Sequence, residues 1–323
     1  AGNLSGAVEH VRNINSRKLA EKKLSSANKA IMDSIRYAEL IQKSILPNTD
    51  EVKIAMPESF FLWLPRDIVG GDIFFVHFFN NGFVIAVIDC TGHGVPGAFM
   101  SMIAFSALKR IVSDGNCYDP AEILKRMNKI VKTSLRQDTE HALSDDGLDA
   151  AVCSVKFHIS ADPSPCPLPE GEREKTPHPG PLPEGERETA ETDRGILTFA
   201  GARVPLYYFK NGEIIHIKGD RANIGYRRSD MNYEFTDHVI TIEKGMCFYL
   251  ATDGFADQIG GKNKVKFGTK RFKNLLKEIG GESFEKQRNI LVQEFAEYAG
   301  ENERLDDITV AGFGFQHLRS LTK

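Results

Sequence analysis

Three features of this sequence predict an α+β fold. Apolar runs at 73–79 and 83–88 flank Asn80-Asn81-Gly82, which reads as a hairpin turn. A later series of short apolar segments (196–200, 206–210, 213–217, 239–242, 247–251 and 308–313) is broken by turn residues such as Asn211-Gly212, as antiparallel strands are. The helical stretches are grouped apart from the strands, at 96–112 and from Asp119 onward, then at 270–279 and 284–299.

The elements follow in order. Residues 4–14, LSGAVEHVRNI, read as a short strand, and Ser16 as the cap of a helix that runs unbroken to Leu46 and stops at Pro47. Leu24, Ile31, Ala38 and Ile45 fall seven apart, with Ala27, Ile35 and Ile41 near the same stripe. This seam of about three heptads fits a parallel coiled-coil homodimer, or a single helix lying on its own domain. Residues 52–64 hold one or two short strands. The helix at 96–112 is apolar nearly all round (Phe99, Met100, Met102, Ile103, Phe105, Leu108, Ile111) and so reads as buried. Asp119-Pro120-Ala121-Glu122 is a helix start, with a cap, a proline in the first turn and an acid at the third position. Residues 150–158 and 195–199 read as two strands of a hairpin. Between them PSPCPLPEGERE recurs 14 residues on as PHPGPLPEGERE, a proline-, glycine- and charge-rich insertion at 162–194 expected to be disordered. Ser283 caps the helix at 284–299.

Composition narrows the function. The chain has 323 residues, 41% of them hydrophobic, and a formal net charge of −3, so no basic footprint points to nucleic acid. No apolar run reaches the roughly 18–20 residues that a membrane helix needs, and no signal peptide is visible. Five scattered cysteines without a CxxC read as reduced core residues of a cytoplasmic protein. The chain begins at Ala1 without a methionine and reads as a fragment.

Acids carry the chemistry. Asp72 opens the first strand of the central hairpin and Asp89 closes the second, so pairing brings both to one end of the sheet. Two carboxylates there are costly without a positive partner, and a divalent cation with oxygen ligands supplies one. Two surface acids at strand ends are the alternative, and on the hairpin alone the two readings stand level. Asp253, after the apolar run 247–251, and the pair Asp306/Asp307, before 308–313, repeat the pattern. Four such positions, in GGD, DCTGHG, TDG and DDIT, point to one metal-binding rim.

These stretches, together with RDIVGGD at 66–72, FAGARVP at 199–205 and ATDGFAD at 251–257, resemble the metal-dependent protein phosphatase 2C family, in its bacterial branch of sporulation stage-II and sigma-factor-regulating phosphatases. The resemblance runs from about residue 41 to 315, apart from the insertion. It implies an α-β-β-α sandwich of two antiparallel sheets flanked by helices, and a site for two Mn²⁺ or Mg²⁺ ions on the sheets' edge. It implies that Asp89 bridges both ions, that the Cys90 carbonyl is a further ligand, that Asp253 and Asp306 hold the second ion, and that Asp72 binds directly or through water. Asp307 is the alternative to Asp306; the wider family often has Asn there, which favours Asp306. The eukaryotic branch has a candidate general-acid histidine two residues after the bridging acid. Here that position is Thr91, and His93, two further on, reads as loop structure or as the acid. The implied reaction is hydrolysis of phospho-Ser/Thr on a partner protein, an anti-sigma-factor antagonist of STAS type, by metal-activated water. A catalytically silent phosphatase-like binding module regulated by a dimeric linker helix is the alternative. Phosphodiester hydrolysis is disfavoured by the lack of a basic groove.

The N-terminal GAVEHVRNINSRKLAEKKL resembles the last strand of a PAS sensor domain leading into its signalling helix. The expected organisation is therefore a PAS-like remnant at 1–15, a linker helix at 16–46, a phosphatase domain at 47–316 and a tail at 317–323.

Overall fold

The computed structural model describes residues 2–157 and 195–315, with the backbone alone for 2–14. The repeat-bearing insertion and the C-terminal tail lie outside the described residues. One helix, α1 (Gly2–Ile45), opens the chain and replaces the expected strand at 4–14. Leu4, Val8 and Val11 are spaced i, i+4, i+7, a helical stripe, and a lone Gly6 costs a helix only about 1 kcal/mol. Ser16 is therefore interior to the helix and not its N-cap. The secondary structure gives no support to a PAS-type terminal strand.

A second departure follows Pro47. Asn48 accepts from the Asp50 amide at 3.0 Å and caps a short helix, α2 (Thr49–Ala55), where strand was expected. Asp50 and Glu51 in its first turn suit the helix dipole. Strand β1 (Ser59–Leu64) then begins a five-stranded antiparallel sheet with β12 (Ile308–Gly314), β9 (Cys247–Ala251), β6 (Leu206–Lys210) and β7 (Glu213–Ile217), in that order. The second sheet runs β2 (Ile73–Phe79), β3 (Gly82–Cys90), β4 (Leu148–Phe157), β5 (Gly195–Ala202) and β8 (His238–Thr241). The central hairpin pairs as expected, from Ile73 with Ile88 to Phe79 with Gly82. The 150–158/195–199 hairpin is likewise present as β4 and β5. At the β6–β7 turn Asn211 (φ 52°) and Gly212 (φ 80°) are both left-handed, the twist that a two-residue hairpin needs.

The α-β-β-α sandwich is present, and alternation along β3 shows how it is built. Phe83, Ile85 and Val87 face the other sheet and join Phe74, Leu206, Phe248, Leu250 and Phe313 in the central core. Val84, Ala86 and Ile88 face outward, against α3 (Gly94–Leu108), its π-helical continuation (Lys109–Asp114) and α4 (Pro120–Ser134). A strand buried on both faces is apolar throughout, as this one is. On the far side, after the one-turn α5 (Gly254–Asp257) and the short pair β10 (Ile259–Gly260) and β11 (Val265–Lys266), α6 (Thr269–Ile279) and α7 (Phe284–Ala299) cover β1, β9 and β12 through Phe272, Leu276, Leu291 and Phe295.

Gly94–Asp114 is long and apolar enough to cross a bilayer by length and composition. Its Met100, Ala104, Leu108, Ile111 and Val112 are core residues. Phe99, expected inside, is exposed near the helix start. The predicted caps are in place: Asp119 accepts from the Glu122 amide at 2.8 Å, and Ser283 from the Lys286 amide at 3.4 Å.

Candidate active site

Both sheets present strand ends at one rim, and the acids sit there. Asp72 precedes β2, Asp89 is the penultimate residue of β3, and Asp149 is the second residue of β4, in register with Asp89. In the facing sheet, Asp253 lies just beyond β9, and Asp306 and Asp307 just before β12. Hydrogen bonds tie the two sets together across the sheets. Thr252 Oγ1 donates to Asp72 Oδ2 at 2.7 Å. Asp307 accepts from the Arg66 and Gly71 amides, each at 2.6 Å.

The four acids expected at the site therefore converge. Asp72 is 2% exposed, and burial pushes its carboxyl well above the usual range, with Asp307 and Asp306 adding repulsion against the Thr252 hydrogen bond. Asp89 is half-buried and is also raised well above that range, by burial first and then by Asp72, Asp253, Asp306 and Asp149. Asp253 is raised by desolvation, then by Asp257 and Asp306. Asp89 feels Asp72, Asp253 and Asp306 together, as an acid with several acids near it does. Asp306 is exposed and accepts from the Asp307 amide at 2.9 Å. Asp307 is buried, with both oxygens committed to backbone amides of the GGD loop.

Asp149 was missing from the sequence-derived set. It pairs with Asp89 across the ladder, and its Oδ1 is buried with no hydrogen-bond partner among the described residues. Burial raises its carboxyl to about 6, with Arg203 opposing and Asp253 reinforcing the shift. The signal was present in the sequence: like Asp72, it is an acid opening an apolar strand behind a glycine, Gly147-Leu148-Asp149.

Close backbone packing fixes the geometry. A Cβ on Gly71 would stand 2.5 Å from Gly92 O and 3.0 Å from Cys90 O, so the GGD loop lies directly on the turn after β3. Gly92 (φ 81°) and Gly94 (φ 62°) bend that turn. The Cys90 carbonyl thus faces the rim's backbone. His93 is engaged elsewhere. Its Nδ1 lies 2.6 Å from Asp67 Oδ2 and its Nε2 2.7 Å from Arg66 Nη1. Arg66 can only donate, so Nε2 accepts and the ring proton sits on Nδ1, facing Asp67. Thr91 bonds Tyr226 OH at 2.7 Å and the Gly147 carbonyl at 3.0 Å.

A cleft of about 670 Å³ opens from the rim. Asp89, Asp149 and Asp253 line it together with Arg203, Lys218 and Arg221. Among the described residues, no three His, Cys, Asp or Glu side chains stand in a ready-made ion-holding arrangement. The donor set nevertheless suits a hard divalent cation. It is all oxygen, repulsive within itself, and includes a buried carboxylate oxygen with no donor among the described residues.

A double antiparallel sandwich with acids along one open rim is the architecture of the PP2C-type phosphatases, and the chain is a serine/threonine phosphatase of that class. It belongs to the stage II sporulation protein E (SpoIIE) family, whose model matches residues 80–158 and 189–315. The SiaA-PP2C domain of Pseudomonas aeruginosa is 32% identical, with a TM-score of 0.70, and the match covers 90% of this chain and 98% of that one. The PP2C phosphatase domain of Bacillus subtilis SpoIIE with a fragment of its regulatory domain has a TM-score of 0.53 at 13% identity, covering 80% of this chain and 62% of that one. A Mycobacterium tuberculosis chain with RsbU and RsbW domains also has a TM-score of 0.53, at 18% identity, over 80% of this chain and 60% of that one. No curated protein matches.

Proposed function

We propose that this chain is a metal-dependent phosphoprotein phosphatase of bacterial signalling, acting in the cytoplasm on phospho-Ser/Thr of a STAS-type partner. The convergence of Asp72, Asp89, Asp253 and Asp306 on one rim carries the reading. Asp89, the Cys90 carbonyl, Asp253 and Asp306 would hold the two ions, with Asp72 contributing directly or through water. Asp306 is preferred to Asp307 because both Asp307 oxygens already accept amide hydrogen bonds. Two bound Mn²⁺ or Mg²⁺ ions supply an activated water and neutralise phosphate charge. Thr252 orients Asp72, and Asp307 fixes the loop that carries it. His93 is assigned to loop structure, since Asp67 and Arg66 occupy both ring nitrogens. The STAS-type substrate rests on the family resemblance. Phosphate release from a phosphoserine STAS-type protein and from an aryl phosphate is expected with Mn²⁺ and absent with EDTA. Metal-independent or absent release by folded protein overturns the reading.

The linker helix reaches this site. Gln42, 2% exposed, accepts from the Gly70 amide at 3.1 Å and donates to the Gly70 carbonyl at 2.6 Å and to Ser101 Oγ at 2.9 Å. Upstream, the seam residues Leu24, Ile31 and Ile41 are exposed, which suits packing against a second copy of α1. Dimer packing of α1 then sets Gln42 and the GGD loop. Gln42→Ala is expected to lower phosphatase activity roughly 10-fold, the scale of about 1.4 kcal/mol, with a smaller loss of thermal stability than of rate. The double substitution Leu24→Asp/Ile31→Asp is expected to give a monomer by light scattering, with activity reduced at every protein concentration.

A further inference from the structure

We propose that Arg203 is the phosphate anchor of this site, and that Lys218 and Arg221 extend it into a basic wall that selects a phosphoserine segment with acidic neighbours. The proposal rests on the phosphatase reading above and deepens it.

An acid-lined rim repels a phosphate dianion, so the cleft needs a positive group placed before substrate arrives. Arginine suits the task because its planar fork matches phosphate oxygens in pairs. Arg203 is built into a turn that aims it. It is left-handed at φ 64°, a conformation costing a non-glycine residue about 1 kcal/mol or more. The turn is held on every side. The Arg203 amide donates to Asp220 O at 2.8 Å, Asp220 N to Gly201 O at 2.7 Å, and Val204 N to Ala202 O at 2.8 Å. Gly201 and Gly219 pack so closely that a Cβ on Gly219 would sit 2.8 Å from Gly201 O. Strain kept in place by so many contacts marks a functional position.

The side chain is 56% exposed and lines the cleft with Asp89 and Asp253. Its pairing with Asp149 is loose, one Nε contact at 3.4 Å. Among the described residues the other guanidinium N–H groups have no hydrogen-bond acceptor, so a fork of donors faces the cleft. Nearby acids outside the rim are occupied: Asp220 accepts from the Thr236 amide at 2.7 Å, and Asp257 pairs with Lys266 at 2.7 Å. Lys218 and Arg221 make no ion pair among the described residues. The cleft therefore combines acids that suit cations with cationic side chains that suit an anionic peptide.

Binding without turnover gives the test. An Asp89→Asn chain is titrated with a fluorescent peptide carrying phosphoserine between Asp and Glu residues, and with its unphosphorylated twin. The phosphorylated peptide is expected to bind tighter. Arg203→Gly, which suits the positive φ and so keeps the turn, is expected to weaken it at least about 10-fold and leave the twin unchanged; Arg203→Lys recovers only part. The double substitution Lys218→Glu/Arg221→Glu is expected to weaken the acidic peptide more than one flanked by glycines. Equal phosphopeptide binding by the parent and a folded Arg203→Gly chain overturns the anchor, as does a parent that does not distinguish peptide from twin. Equal weakening of acidic and glycine-flanked peptides overturns the wall. Wild-type turnover of an aryl phosphate with Mn²⁺ reads the phosphatase assignment separately: its absence beside Arg203-dependent binding removes that assignment and leaves the anchor standing.

Discussion

Asp89→Asn is expected to lower Mn²⁺-dependent phosphate release by at least about 1000-fold, a loss of roughly 4 kcal/mol of transition-state stabilisation, while raising the melting temperature of the metal-free protein. The two effects share one cause. Asp89 is half-buried and is raised by burial and by four neighbouring acids. At an effective dielectric near 20, two carboxylates about 4 Å apart repel by roughly 4 kcal/mol. Asparagine keeps the shape and removes both the repulsion and the charge that binds a cation. The sign with pH follows from raised carboxyl pKa values. The folded protein holds protons that the unfolded chain has released, so this contribution to stability is full below the ordinary aspartate value near 4. It is lost as pH rises through the folded values, about 6 for Asp149 and also raised for Asp72 and Asp89. Scanning fluorimetry without metal is expected to show wild type losing more melting temperature than Asp89→Asn between pH 4 and about 7. Mn²⁺ added above that range is expected to stabilise wild type more than the variant. Equal pH slopes in the two proteins contradict the repulsive rim.

Gly71→Ala is expected to cost both stability and activity. Its Cβ would meet Gly92 O at 2.5 Å and Cys90 O at 3.0 Å, both backbone atoms with little room to move. Overpacking of this kind costs about 1–3 kcal/mol, or roughly 2–4 °C in melting temperature for each kcal/mol in a domain this large. The strain falls beside Asp72 and on the turn carrying the Cys90 carbonyl, so a rate loss of about 100-fold, near 2.7 kcal/mol, is expected. Gly281→Ala is the control, because nothing lies within 4 Å of its Cβ position and its backbone is not left-handed. Thermal melts and steady-state rates for the two variants check the contrast; equal behaviour contradicts the close packing at Gly71.

Much of the fold was legible in the sequence because its signals are local. The 73–79/83–88 hairpin, the Asp119 and Ser283 caps and the acids at strand ends each occupy a few consecutive residues. The rim was legible because strand ends repeat one pattern, and by that pattern Asp149 could have been found. The segment at 4–14 misled because three apolar residues at helical spacing are few enough to resemble a strand. Residues 49–55 misled because the Asn48 cap and its acidic first turn outweighed the β-branched Val52 and Ile54. Tertiary contacts left no local trace. Gln42 bonds residues 28 and 59 positions away, and Arg203 gains its meaning only beside Asp149. Phe99 belongs to an apolar helix, yet is exposed near the helix start.

Equilibrium dialysis against Mn²⁺, with bound metal counted per chain and hydrolysis of phosphoserine peptide measured on the same samples, tests the rim most directly. Two ions per wild-type chain, no more than one in Asp89→Asn and Asp253→Asn, and hydrolysis that rises only with the second ion are the expected results. A folded wild-type chain that binds no Mn²⁺, or that hydrolyses the peptide equally well with and without it, contradicts the proposed two-metal rim.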